Sequence, residues 1–134
     1  MFGRFPNNQG WSLNGAGVFQ PYRDCGPTIV LPCAATVATA ANQSHFFSLT
    51  LTQNVTMLPP TGMYDKQVIF YDIIQGGSGS YTPTWPSNFI GSATFPLASI
   101  SYSTTVGMVD MFAWRWVQSS QVWRLVGFLK GFTG

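Results

Sequence analysis

The chain has 134 residues, of which 46% are hydrophobic and only 7% charged, with a net charge of +2. That length fits one domain with a real core, and so little charge gives weak mutual repulsion, which suits a large assembly better than a concentrated free protein. The basic residues Arg4, Arg23, Lys66, Arg115, Arg124 and Lys130 are scattered along the chain, so there is no phosphate-tracking run and nucleic acid is not an expected partner.

At the N-terminus, Pro6, Asn7, Asn8 and Gln9 stand where a signal peptide needs apolar residues. No apolar run reaches the ~18 residues of a bilayer span. A soluble protein made in a cytoplasm, with no membrane partner, is therefore expected. Residues 1–32 are rich in glycine and proline, with Phe2, Arg4, Phe5, Trp11, Phe19 and Tyr22 interspersed. The turn chemistry argues against regular structure, and the aromatics argue against free disorder. Residues 1–40 read as an irregular arm lying on another surface. Cys25 and Cys33 flank Pro27 and Pro32. They stay open between free buried thiols and a bridge, which reducing cytoplasm disfavours. A metal site would need about four ligands, and only His45 is at hand.

The β-domain is placed at residues 41–134. Before it, Thr36, Val37 and Thr39 pull the apolar run 34–41 towards strand. Residues 44–52 alternate, with Phe47, Leu49 and Leu51 on one face and Ser48, Thr50 and Thr52 on the other. A strand at 55–58 follows, and Pro59-Pro60-Thr61-Gly62 makes a turn. Residues 67–74 are apolar on both faces, as in a strand central to a sandwich or buried between subunits. Gly76-Gly77-Ser78-Gly79-Ser80 lacks the lysine and helix of a phosphate loop and reads as a hairpin loop. Pro83 and Pro86 mark 81–85 as an edge strand or a bulged one. Weaker strands are expected at 92–95 and 100–104, and strong ones at 106–117 and 121–129. This spacing predicts an all-β fold, a jelly-roll-like β-sandwich of about eight strands.

Chemistry-bearing residues are few. His45 is the only histidine, and the acidic residues are Asp24, Asp65, Asp72 and Asp110. Asp65 reads as a solvated turn residue. Asp72 and Asp110 sit inside strands, as hydrogen-bonded polar positions or, less simply, as a two-carboxylate glycosidase pair. No serine lies in a nucleophile elbow. Trp114 and Trp116 share one strand face, with Trp123 on the hairpin partner. They suit a core or a trimer interface, or, if exposed, a glycan-stacking platform.

From about His45 to Trp123 the chain resembles a β-rich module of tailed-bacteriophage virion proteins: head fibres, capsid decoration proteins and tail fibres. The carriers are Leu49-Thr50-Leu51, Asn54-Val55-Thr56-Met57-Leu58, Val68-Ile69-Phe70, and Gln75-Gly76-Gly77-Ser78-Gly79. Tyr81-Thr82-Pro83-Thr84-Trp85-Pro86-Ser87-Asn88, Val109-Asp110 and Trp123 complete the set. The family usually has an aspartate after the glutamine, where Gly76 stands here. The resemblance implies a trimeric, non-enzymatic structural domain on a virion, without cofactor. The expectation is a capsid decoration or cement protein whose arm, through Phe2, Arg4, Phe5, Trp11, Phe19 and Tyr22, docks on the major capsid protein. The absence of a long shaft favours that over the alternative, a tail-fibre or tailspike receptor-binding head recognising host-surface glycan.

Overall fold

The structure, a computed structural model, describes residues 26–134 and two upstream strands, β1 (Trp11–Leu13) and β2 (Phe19–Pro21). β1 and β2 pair antiparallel, with Trp11 opposite Pro21. From residue 28 the chain swings between two sheets. β3 (Thr28–Leu31), β5 (Phe46–Leu51) and β7 (Val68–Gln75) lie in one, and β4 (Thr36–Val37), β6 (Val55–Met57) and β8 (Pro83–Thr84) in the other. Successive strands within each sheet are parallel. Parallel neighbours need a crossover, and here each crossover contains a strand of the other sheet rather than a helix. Three such turns stack as rungs.

After β8, β9 (Phe89–Ile90) takes the far edge of the larger sheet. The long hairpin of β10 (Met108–Val117) and β11 (Val122–Thr133) fills the gap, giving the order β3-β5-β7-β10-β11-β9. β10 runs antiparallel to both β7 and β11.

The two-residue period of the strands decides what is buried. Phe47, Leu49 and Leu51 of β5 and Ile69, Tyr71 and Ile73 of β7 are at most 2% exposed. β10 and β11 add Phe112, Trp114, Trp116 and Trp123 to this core. Trp85, just after β8, fits among them, its ring 5.0 Å from those of Phe112 and Trp114 and 5.4 Å from that of Phe89. Such aromatic pairs add about 0.5–1.5 kcal/mol beyond the area they bury.

Two buried glutamines bracket β7. The Gln67 amide donates to the Ala41 carbonyl at 2.8 Å and accepts from the Tyr64 N–H at 3.2 Å. Gln75 does the same for the next loop, donating to the Tyr81 carbonyl at 2.6 Å and accepting the Tyr81 N–H at 3.1 Å. Inside that loop Gly79 has φ +81°, and a Cβ there would lie 2.3 Å from the Thr104 carbonyl oxygen, so only glycine fits.

The all-β class is as expected, but the connectivity is not that of a jelly roll, which is built from antiparallel strands. β3-β5-β7 and β4-β6-β8 are parallel ladders. The arm boundary at residue 40 is also corrected. β3 and β4 belong to the stack, and Leu31 and Val37 are in its core. The glycines and prolines around them mark tight corners between rungs. Residues 92–95 and 100–104 form no strand; bends and a 3-10 turn at Leu97–Ser99 occupy this stretch. Pro83 does sit on an edge strand, since β8 is outermost in its sheet.

Candidate interaction surface

Trp114, Trp116 and Trp123 are 0%, 1% and 0% exposed. One copy of the chain already closes them off, which corrects their assignment to a trimer interface or glycan platform. Alternation along β10 puts Trp114 and Trp116 on the inward face with Phe112, where the Trp116 indole N–H donates to the Gln118 side chain at 2.7 Å. Of the expected arm contacts, Phe2, Arg4, Phe5 and Tyr22 lie outside the described residues. Trp11 and Phe19 belong to β1 and β2.

The carboxylates take three different environments. Asp110 is 2% exposed and accepts the Ser103 N–H at 2.7 Å, the Ser103 hydroxyl at 2.6 Å and the Gly131 N–H at 3.1 Å. It thereby fixes the irregularity where the β10–β11 register shifts between Val109 and Met111. Asp65 accepts the Gln118 N–H at 3.0 Å, tying its own turn to the β10–β11 turn. Asp72 points to the opposite side of the sheet from Asp110, so the two cannot share a pocket and the glycosidase pair falls away. Partial burial pushes the Asp72 carboxyl above the ordinary aspartate range.

The remaining polar groups are structural. The Thr39 and Tyr71 hydroxyls share a buried hydrogen bond of 2.7 Å, and burial drives the Tyr71 phenol far up. Burial also raises Tyr102, whose hydroxyl accepts the Trp85 indole N–H at 3.1 Å. Cys33 is a free, half-buried thiol whose sulfur accepts the Thr52 N–H; Cys25 lies outside the described residues. Among the described residues, no group of three His, Cys, Asp or Glu could hold a metal, and no helix is long and apolar enough to cross a membrane.

What the fold leaves open is the outer face of the larger sheet. The ladders put Val30, Ser48, Asp72, Met111 and Leu129 in one row across it. The next row holds Thr28, Phe46, Phe70, Ala113 and Gly127, with the Phe46 and Phe70 rings stacked at 5.3 Å. Val30 is 74% exposed and Leu129 64%. A shallow hollow of about 130 Å³ opens over Ala113 and Gly127, walled by Phe70, Met111 and Leu129. At the foot of the face Arg115 stands directly opposite Arg124. The basic residues looked scattered in sequence, yet the hairpin turn after Val117 places these two side by side. Reading the hairpin register from that turn is the signal that would have found them.

Comparison with protein-family models, with curated proteins and with solved structures gave no match to this chain.

Proposed function

We propose that the chain is a structural protein of a tailed-bacteriophage particle, a capsid decoration or cement protein that binds the major capsid lattice as a homotrimer. The observation that carries this reading is the broad apolar outer face of the larger sheet, which the described residues leave uncovered. In projection, the strands β3, β5, β7, β10 and β11 cover roughly 600 Å², at the upper end of what a monomer exposes without a partner. The motifs around Leu49-Thr50-Leu51 and Gln75-Gly76-Gly77 support the virion assignment through their resemblance to phage particle proteins. In this reading the protein carries out no reaction and needs no cofactor. It assembles in the host cytoplasm and ends on the particle.

The arm supplies the lattice contact, with Phe2, Phe5, Trp11, Phe19 and Tyr22 as apolar anchors and Arg4 as a charge contact. Each anchor is weak, and several on one oligomer add through effective concentration. Deleting residues 1–22 should leave the sheet stack folded and abolish binding to empty capsids. Full occupancy by the truncated protein would remove the arm from the proposal. Burial of Trp114, Trp116 and Trp123 takes from the receptor-binding alternative the platform it relied on. An electron-microscopy map of the particle separates the two, because decoration requires many copies over the shell and a tail tip only a few.

A further inference from the structure

Unpaired charges on the outer face run in a definite direction. Arg115 and Arg124 are exposed cross-strand neighbours, and no carboxylate among the described residues pairs with either. Like charges directly opposite each other across a ladder are destabilising. Of the described carboxylates, Asp65 accepts a backbone N–H and Asp110 accepts three hydrogen bonds, whereas Asp72 has no partner among the described residues. Asp72 is half-buried in the middle of the apolar face, opposite Met111 on β10, whereas Arg115 is opposite Val68. Four residues of β7 separate those two levels, about 13 Å along the strand. Within one copy the acid therefore cannot reach the arginines.

We infer that the outer face is where copies of this chain meet, with Asp72 of one copy set against the Arg115–Arg124 pair of the next. This inference rests on the reading of the chain as a self-associating virion protein and names the surface and the charge pairs that reading needs. An acidic group at one level of an apolar surface and a basic pair at another allow a head-to-tail contact, in which each copy offers its acid to one neighbour and its arginines to the other. Such heterologous contacts close into a ring when the rotation allows. The apolar rows supply the buried area, and the hollow over Ala113 and Gly127 admits a side chain from the neighbouring copy. The charge pair sets register and direction. It also relieves both the Arg–Arg repulsion and the desolvation of Asp72.

The test is the mass of the full-length protein by light scattering and sedimentation over a wide range of concentrations. Asp72→Arg alone, and Arg115→Asp with Arg124→Asp, should each weaken association at least tenfold. The triple variant carrying all three changes should recover most of that loss, since the charges are exchanged and not removed. Unchanged association in both partial variants, or a triple variant weaker than either, overturns the inference while leaving self-association standing. Wild-type protein that stays at monomer mass throughout overturns the self-association reading itself, and the inference with it. Circular dichroism on each variant keeps unfolding from passing as dissociation, and recovery in the triple variant cannot come from a misfolded chain.

Discussion

On one side of β7, Ile69, Tyr71, Ile73 and Gln75 face the second sheet; on the other, Val68, Phe70, Asp72 and Ile74 face outward. Both sets are mostly apolar, so hydrophobicity alone does not tell them apart. Their polar groups do. Inside, Gln75 holds a loop through two hydrogen bonds, the Tyr71 hydroxyl is matched by Thr39, and the buried Trp114 and Trp123 indole N–H groups that lack a partner carry no charge. Outside, Asp72 has no partner among the described residues, and neither do the arginines below it. A face that leaves no charge unpaired is finished by folding. One that leaves charges unpaired in an apolar surround awaits something else, because a partly desolvated charge is stabilised only when an opposite charge arrives.

The sharpest break should come on the inner face. Trp114→Ala removes a fully buried ring from the aromatic cluster around Trp85. We expect a loss of about 3–5 kcal/mol in urea unfolding; a loss below about 1 kcal/mol would show that the cluster is not the core of the fold. Asp110→Ala should cost about 2–3 kcal/mol, because the Ser103 and Gly131 N–H groups lose their acceptor. Asp110→Asn, which keeps one acceptor oxygen, should fall between it and wild type. Tyr71→Phe deletes only the bond to Thr39, and about 1 kcal/mol is the expected loss by thermal melting.

The outer face should behave differently. Leu129→Ser, measured at dilutions where the protein is monomeric, is expected to shift stability by no more than about 0.5 kcal/mol. A loss comparable to that of Trp114→Ala would mean the two faces do not differ in kind. Asp72 gives the smallest effect and a defined sign. Its carboxyl titrates higher in the folded protein than in the unfolded chain, so the folded state holds more protons between those two values. Stability should therefore fall as pH rises from the ordinary aspartate range, near about 4, through the folded value. Asp72→Asn should flatten that slope in a melting series at dilutions where the protein is monomeric; an identical slope in the variant would assign it to another group.

The strands marked by β-branched, aromatic and other apolar residues were readable in advance. Residues 44–52, 55–58 and 67–74 correspond closely to β5, β6 and β7, and the expected inward set Phe47, Leu49 and Leu51 is the buried set. The hairpin of β10 and β11 was readable for the same reason. β3 and β9 were not, and β4 showed only as a pull towards strand in the run 34–41. They are two to four residues long, too short to show a period, and they are strands because of what lies beside them. Residues 92–95 and 100–104 have strand-like composition, but no neighbour in the sheets pairs with them. The candidate site divides in the same way: the sequence singled out the large tryptophans, and the surface left open for a partner is made of Phe70, Met111, Leu129 and three charges.

By itself, then, the sequence determined the all-β class, the alternation of β5 and the scarcity of chemistry-bearing groups. These follow from side-chain alternation and residue type, which are local properties. Only the tertiary structure decided that β3, β5 and β7 stack in parallel, that the tryptophans turn into the core, and that Asp72, Arg115 and Arg124 share one outer face. Each of these depends on pairing between segments distant in the chain. A one-residue change in register would send the same side chains to the opposite side of the sheet, so the alternation of a strand cannot say on which surface its neighbours' charges will lie.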